Sequence, residues 1–361
     1  MNIGICGYWG WSRGQSYVNL MFANMLKKDH KVYVFNPVVT DKGVSPYEEK
    51  EFDDEKISVT DYKNGWMIEP EVFKTWIRVS KLDAIIFNEY GQWGNEDHDL
   101  IQIARDEGCK VYGYLVSERF KKNQADRYDR VFCPNMSQVR LMRHNRVRNF
   151  TLIPFSLDLE KYKPAEKKDN SKFVFLHPAG YIGVNERKNT SKVIEAFRML
   201  DKKDAKLVVI SQVDIKSENL PENVEIVKDV SHDELIEHYK QAHVLVYSPK
   251  WETIGISILE SLACGTPVIT TDFPPMNEYV LPNKNGLLCK GHRNRYRGIS
   301  VDVAEVSAED IKDKMEIATN EIVLALMQKN SRYVVEEIYN IDENKKKLLE
   351  FLRKDVGDKD E

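Results

Sequence analysis

The sequence predicts a doubly wound α/β protein built from two domains. Short runs of β-branched and aromatic residues alternate with helical patterns along most of the chain. Several of these runs are apolar throughout, as expected for strands that a parallel sheet buries on both faces. The 361 residues also exceed the ordinary size of one domain, so two cores account for the length.

The apolar runs fall into two series, six before the middle of the chain and five after it. The predicted strands are residues 2–8, 31–36, 84–88, 110–116, 130–133, 150–154, 173–177, 206–211, 224–228, 243–248 and 267–271. Between them, amphipathic patterns predict helices at residues 17–28, 188–200, 232–241 and 256–263.

A polar break separates the two strand series. Residues 157–169 are rich in charge, contain a proline and lack an apolar run. We therefore predict an amino-terminal Rossmann-like domain over 1–156, a linker over 157–169 and a second Rossmann-like domain over 170–335. Residues 336–361 are predicted as a helix that packs back on the first domain, ending in a frayed tail.

Composition and charge exclude several classes of protein. Lys plus Arg is 53 and Asp plus Glu is 57, a net charge of −4, which argues against a protein that coats nucleic acid with its whole surface. The chain has neither an apolar run long enough to span a membrane nor the pattern of a signal peptide. Its five scattered cysteines form no Cys-x-x-Cys pair and suit a reducing compartment. A cytoplasmic location is expected.

The charge is concentrated in one segment. Residues 119–150 contain nine basic and two acidic residues, and a second basic cluster spans 292–297. The first segment is expected to form a solvated basic helix face and loop, and peripheral contact with an anionic membrane or another polyanion is the alternative.

A strand, a short loop and a helix between residues 243 and 263 form the most informative segment. The loop contains Glu252, and Glu260 lies about one turn into the helix. Backbone N–H groups at the start of a helix have no partner within it and form a ready site for an anion. In this chain they belong to Thr253, Ile254, Gly255 and Ile256.

The two glutamates carry a resemblance to a known family. Seven residues separate Glu252 from Glu260, and Ser-Leu-Ala-Cys-Gly-Thr-Pro-Val-Ile follows. This pattern resembles the Glu-x7-Glu signature of family 4 glycosyltransferases, which have the GT-B fold. The resemblance is dense over residues 150–288 and thin before them. It implies two Rossmann-like domains facing across a cleft and a retaining transfer of sugar from a nucleotide-diphosphate donor to a hydroxyl of a glycan, a lipid or another acceptor. Because a leaving group that cations neutralise needs no metal, we also expect the transfer to be metal-independent.

The resemblance also implies roles for individual residues. Glu260 would bind the ribose hydroxyls of the nucleotide, and Glu252 would orient the donor sugar. The backbone of residues 253–256 would contact the sugar and the diphosphate. No cofactor is implied, because the nucleotide sugar is the substrate.

A second segment, residues 177–189, lies between a predicted strand and a predicted helix and could hold the diphosphate. Lys188 matches the family lysine, and Gly180 matches the glycine after the strand. Tyr181 occupies the place of the family arginine, so we predict that Arg187 replaces it. Lys188, Arg187 and Glu252 are thus the predicted catalytic residues, and no covalent nucleophile is identified.

The first predicted strand leads into a loop of glycines and aromatic residues. Its glycine spacing is not that of a dinucleotide fingerprint, and the second strand ends without an acidic residue for a ribose. The resemblance instead implies that Gly10 lines the donor site. Tyr8, Trp9 and Trp11 are candidates to stack on a sugar or base, Trp11 on the acceptor side, with core packing as the alternative for Tyr8.

The family's first-domain histidine has no match in the stretch after the strand near residue 114. Ser117 or Glu118 is the candidate to serve on the acceptor side in its place. The Asp-x-Asp sequence at residues 97–99 precedes a helical pattern, so Asp97 is predicted to cap that helix, not to bind a metal.

Two further functions remain open at this stage. One is a glycosyltransferase whose acceptor is nucleic acid, which the basic segment 119–150 would attract. The other is a non-catalytic GT-B protein that binds a nucleotide or a partner, which the missing family arginine and histidine would permit.

Overall fold

The computed structural model describes residues 1–10, 14–37, 52–63, 65, 67–90, 98–166, 171–181, 186–215 and 220–357. The chain divides into two compact units, Met1–Ser156 with Ile341–Glu361, and Leu157–Asn340. The second unit thus starts with the first residue of the predicted linker, and it ends five residues after the predicted domain end at 335.

The first unit contains a parallel sheet whose strands alternate with helices along the chain. In the described part of this unit the strands are β1 (Asn2–Cys6), β2 (Lys31–Pro37), β3 (Ile57–Tyr62), β4 (Ala84–Asn88), β5 (Lys110–Tyr114), β6 (Arg130–Cys133) and β7 (Phe150–Leu152). Their order in the sheet is β3-β2-β1-β4-β5-β6-β7, and every pair is parallel.

The second unit repeats this arrangement. Its described strands are β8 (Phe173–Gly180), β9 (Ala205–Ser211), β10 (Val224–Lys228), β11 (Val244–Tyr247), β12 (Val268–Thr271), β13 (Gly286–Cys289), β14 (His292–Asn294) and β15 (Val303–Glu305). The parallel sheet has the order β10-β9-β8-β11-β12-β13, and β14 and β15 form a separate antiparallel pair.

Helices connect the strands and complete both units. They are α1 (Gly14–Leu26), α2 (Pro70–Ser80), α3 (Leu100–Asp106), α4 (Lys122–Ala125), α5 (Met136–His144), α6 (Thr190–Leu200), α7 (His232–Gln241), α8 (Ile256–Ala263), α9 (Ala308–Ala318), α10 (Glu321–Asn330), α11 (Tyr333–Ile338) and α12 (Ile341–Val356). In the ranges given above, none of these helices has the length and apolar character needed to cross a bilayer.

Most of the strands that were predicted from apolar runs lie inside the two sheets, whereas β7 and β10 are partly exposed edge strands. Every residue of β4 and of β11 is buried, because helices cover both faces of each sheet. Of the described strands, β13, β14 and β15 have no counterpart among the predicted strands, and β3 has none either. The strand β3 is an edge strand with mostly exposed polar residues, so the apolar signal that reveals a central strand is missing.

The last helix of the chain belongs to the first unit. Asn344 on α12 donates a hydrogen bond to the Ser156 hydroxyl at 2.8 Å, and the Tyr112 hydroxyl on β5 donates to Asp355 at 2.8 Å. Leu348 and Leu352 are fully buried. The helix starts at Ile341, not at 336, and residues 336–338 are the end of α11.

The helix α3 is capped by Asp99, whose side chain accepts a hydrogen bond from the Gln102 N–H at 3.0 Å. This carboxylate is therefore an N-cap. The predicted cap, Asp97, lies outside the described residues.

Each sheet reverses its strand order once, between β1 and β4 in the first unit and between β8 and β11 in the second. Two neighbouring connections leave in opposite directions at such a point, and ligands of doubly wound proteins bind in the crevice beside the carboxyl ends of those strands. In the second unit, the loops that follow β8 and β11 therefore lie where such a ligand would bind.

Candidate functional site

One carboxylate oxygen brings together residues from two separate loops of the second unit. The Oε1 atom of Glu252, in the loop after β11, lies 2.5 Å from Arg187 Nη1 and 2.7 Å from Lys188 Nζ, both from the loop after β8. The Tyr247 hydroxyl also donates to this oxygen and accepts a hydrogen bond from Lys188. The three predicted catalytic residues therefore form one cluster at the point where the strand order reverses.

The two cations decide the charge of Glu252. Burial raises the pKa of this carboxyl group, but the charges of Arg187 and Lys188 and their hydrogen bonds outweigh it and hold the pKa below its usual value. Glu252 is therefore ionised near neutral pH. One negative and two positive groups leave the cluster of Glu252, Arg187 and Lys188 with a net charge of +1, which suits an anionic ligand.

Main-chain contacts fix the two loops against each other. The Lys250 N–H donates to the Arg187 carbonyl at 2.9 Å. Asn189, which has a positive φ of 62° at the start of α6, donates through its side-chain amide to the Ser248 carbonyl at 3.1 Å. Asn tolerates this left-handed conformation better than most residues. Asn189 therefore suits both the backbone turn and the hydrogen bond to Ser248.

His177, on β8, connects β11 with the start of α6. The sequence analysis did not single it out. Its Nδ1 lies 2.8 Å from the Val246 carbonyl on β11, and its Nε2 lies 2.9 Å from the hydroxyl of Thr190, the first residue of α6. Burial lowers the pKa of His177 to about 4, so the ring is neutral. A polar residue inside an otherwise apolar strand is the signal that could have revealed it.

The loop after β11 leads directly into α8. Gly255, the N-cap of this helix, has a positive φ of 86°, a conformation that glycine adopts at little cost. The Ile254 carbonyl accepts a hydrogen bond from the Tyr279 hydroxyl at 2.5 Å, and Thr253 and Ile254 are buried. The start of α8, including Ile256, is thus held in place with the N–H groups of its first turn beside Glu252.

Glu260, on the same helix, has a different environment. Its Oε1 accepts a hydrogen bond from the Tyr162 hydroxyl at 3.0 Å and lies 2.8 Å from His232 Nε2. Only 5% of the side chain is exposed. Tyr162 comes from the predicted linker and His232 from the first residue of α7, so Glu260 joins three parts of the unit. Sequence reasoning did not identify either partner.

The remaining second-unit candidate, Gly180, ends β8 with a positive φ of 54°. Its carbonyl accepts a hydrogen bond from the Gln212 N–H at 2.9 Å. This places Gly180 at the carboxyl edge of the sheet, on the strand that leads to Arg187 and Lys188.

The first unit has its own loop at the corresponding edge. Gly10, four residues after β1, has a positive φ of 72°, and Trp11 lies outside the described residues. Trp9 is a core residue, because its indole N–H donates to the Phe52 carbonyl at 3.1 Å and its ring packs edge-on against the Phe52 ring. Stacking of Trp9 on a ligand is therefore not supported. Tyr8 is partly buried against the core.

Ser117 and Glu118 lie in a short 3-10 turn, Ser117–Arg119, after β5. Ser117 is buried and Glu118 is half-buried. Both are at the carboxyl edge of the first sheet. Their acceptor-side role stays a prediction.

No group of three or more His, Cys, Asp or Glu side chains is arranged to hold a metal ion within the ranges that the structure describes. The five cysteines are all buried as free thiols. Arg187 and Lys188 supply the positive charge of the cluster described above.

Comparison with family models finds a match in the second unit. Residues 160–316 match the family model of glycosyl transferases group 1. This segment contains Arg187, Lys188, Glu252 and Glu260. The group 1 match is thus to the part of the chain that holds the cluster.

Solved structures show the fold of the whole chain. Sucrose-phosphate synthase from Thermosynechococcus elongatus is similar with a TM-score of 0.76 and 16% identity, over 98% of each chain. HepE from Anabaena, solved in complex with UDP and glucose, has a TM-score of 0.74 and 12% identity, over 98% of this chain and 100% of that one. The protein has the GT-B fold, as the sequence predicts.

Among curated proteins, a D-inositol 3-phosphate glycosyltransferase from Nocardiopsis dassonvillei is 26% identical over 192 residues. The match covers 45% of this chain and 44% of the relative. The chain thus matches less than half of that relative's length.

The neutral state of His177 predicts a specific dependence of stability on pH. Folded His177 stays uncharged down to about pH 4, whereas an unfolded histidine takes up a proton below about pH 6.5. Acid therefore favours the unfolded chain. Between pH 7.5 and 5.0 the free energy of unfolding should fall by about 2 kcal/mol more in the wild type than in His177→Asn, which keeps a donor for Val246 but does not titrate. Urea unfolding at both pH values measures this, and parallel pH profiles would contradict it.

Proposed function

We propose that the protein is a retaining glycosyltransferase that moves a sugar from a nucleotide-diphosphate donor to an acceptor hydroxyl of a glycan or lipid. The observation that carries this proposal is the convergence of Arg187, Lys188 and Glu252 on one point at the carboxyl edge of the second sheet. That point lies where the strand order reverses and within the segment that matches glycosyl transferases group 1.

The diphosphate of the donor is the ligand that fits the two cations. In the structure Glu252 engages both of them through a single oxygen. A diphosphate that takes over these contacts releases the Glu252 carboxylate, which then accepts hydrogen bonds from hydroxyls of the sugar. Arg187 and Lys188 stabilise the negative charge that develops on the leaving nucleoside diphosphate. Donor binding and the orientation of the sugar are thereby linked.

The rest of the donor has a place on α8. First-turn N–H groups next to Gly255 add to the stabilisation of the diphosphate. Glu260 lies on the same helix and accepts the ribose hydroxyls, with its carboxylate held in orientation by Tyr162 and His232. Retention at the anomeric carbon rests on the resemblance of the Glu-x7-Glu pattern alone.

Two features guide the choice of substrates to test. The Anabaena protein of the same fold was solved with UDP and glucose, and the curated relative is named for a phosphorylated inositol. We therefore propose UDP-glucose as the first donor and phosphorylated polyols among the first acceptors. Charge neutralisation by Arg187 and Lys188 supports transfer without a metal ion.

The proposal is tested by screening nucleotides and nucleotide sugars for thermal stabilisation, followed by a transfer assay with the donor that binds. One nucleotide should stabilise the protein, since a ligand at 100 times its dissociation constant adds about 2.7 kcal/mol. Transfer should persist in EDTA. If a nucleotide binds but neither sugar transfer nor donor hydrolysis occurs, a non-catalytic GT-B protein is favoured. If EDTA abolishes activity and Mn²⁺ restores it, metal independence is contradicted.

Lys188→Ala should reduce turnover by roughly 10²-fold, because it removes one charge from the stabilisation of the leaving group. Lys192→Ala is the matched control, since Lys192 lies on α6 and pairs with Glu195 on the surface. Its turnover should stay within about twofold of wild type. Steady-state rates with a saturating donor measure both variants, and equal rates for Lys188→Ala and wild type would remove Lys188 from the site.

Glu260→Gln should weaken nucleotide binding by about 1.5–3 kcal/mol, the typical contribution of a hydrogen bond to a charged acceptor. Glutamine keeps an acceptor for Tyr162 and His232, so the fold is retained. Calorimetry with the nucleotide found in the screen gives the dissociation constants. Glu195→Gln, at a half-exposed position on α6, serves as the control. Equal affinities in the two variants would assign the ribose to another residue.

A further inference from the structure

A pocket in the first unit lies away from the edge of the sheet at which ligands of such folds bind. It has a volume of about 470 Å³ and lies beside the amino ends of β6 and β7. Gly10 and Ser117 lie at the carboxyl ends of β1 and β5, on the opposite edge of the same sheet. The proposed transfer reaction therefore leaves this pocket without a role. Its lining residues are Lys122, Ala125, Asp126, Tyr128, Arg146, Val147, Arg148 and Asn149.

The lining combines cations with groups that bind hydroxyls. Lys122, Arg146 and Arg148 contribute three positive charges, and the one carboxylate, Asp126, pairs with Lys122. Arg146 and Arg148 are exposed, and neither forms an ion pair with any described residue. Guanidinium groups bind phosphate oxygens through two parallel hydrogen bonds. Asp126 and Asn149 can accept hydrogen bonds from hydroxyl groups.

The two arginines of the pocket lie outside the described helices. Arg143 and His144 lie in the last turn of α5, where positive charge stabilises the helix dipole. Arg146 and Arg148 lie beyond the end of this helix. Arg146 even adopts a positive φ of 55°, a conformation that glycine accepts with less strain. Its N–H donates to Arg143 and that of Val147 to Met142, each at 3.0 Å, so a regular helix end holds the arginine at the pocket.

We propose that this pocket binds the phosphate ester of a small polyhydroxylated group. Arg146, Arg148 and Lys122 hold the phosphate, and Asp126 and Asn149 contact the hydroxyls. The volume admits a complete phosphorylated headgroup but not a folded macromolecule. The same chemistry belongs to a soluble sugar or polyol phosphate and to the headgroup of an anionic lipid. The site is independent of the proposed transfer reaction.

Two probes distinguish the sources. Calorimetry with sn-glycerol 3-phosphate, and with glycerol as the uncharged control, measures a soluble ester. Sedimentation with phosphatidylglycerol vesicles, and with phosphatidylcholine vesicles as the control, measures a lipid headgroup. The proposal is supported if either phosphate probe binds and the double variant Arg146→Gly/Arg148→Gln weakens its affinity by at least about 10-fold. The probe that binds identifies the source of the phosphate.

The chain offers a control for the backbone. Lys81 ends α2 with a positive φ of 50°, and its N–H and that of Leu82 donate to Arg78 and Ile77, as at Arg146. Both Lys81→Gly and Arg146→Gly should therefore fold, and their unfolding temperatures should equal or exceed that of the wild type. Only Arg146→Gly should weaken binding of the phosphate probes.

Three outcomes would overturn the proposal. The first is the absence of binding to both phosphate probes at millimolar concentration. The second is unchanged binding in the double variant. The third is binding that Lys188→Ala abolishes, which would place the phosphate in the second unit at the proposed donor site. The Lys188→Ala variant therefore distinguishes phosphate binding at the pocket from phosphate binding at the proposed donor site.

Discussion

The ionised carboxylate of Glu252 is the group on which the junction between the loops after β8 and β11 depends. An ionised carboxylate removed from water is costly unless opposite charge and hydrogen bonds compensate for it. Arg187 and Lys188 provide that compensation, and they come from a different strand connection. The loops after β8 and β11 must therefore stay together for either to be stable. Asn189 and His177 serve the same end by joining these elements through main-chain carbonyls.

The two carboxylates at and near the start of α8 have different surroundings. Glu252 precedes α8 and faces cations, whereas Glu260 lies within α8 and contacts the neutral hydroxyl of Tyr162 and the ring of His232. A carboxylate beside cations responds to an incoming anion, because the two negative groups compete for the same partners. A carboxylate held by a hydroxyl and an imidazole keeps one orientation and suits recognition of hydroxyls.

The first unit carries the basic residues of its pocket at the amino edge of its sheet. Gly10 and Ser117 lie at the carboxyl edge of the sheet, whereas Arg146 and Arg148 lie near the amino ends of β6 and β7. Arg146 and Arg148 lie at the amino edge because they belong to the connection between the end of α5 and the first residue of β7. The net charge of −4 gave no sign of such a local excess, since the acidic residues lie elsewhere.

The sequence by itself determined the two parallel sheets, most of their strands, the helix α8 with Glu260 and the preceding loop with Glu252. These features are local or periodic, because buried strands are apolar throughout and a helix start has characteristic residues. It could not reveal β3, an edge strand with little apolar surface, nor the core position of Trp9. Only the tertiary structure decided that Arg187 and Lys188 meet Glu252 and that Tyr162 and His232 meet Glu260. Those contacts join residues far apart in the chain, and the physical reason they form is that buried charges and polar groups need partners which only the completed fold brings within reach.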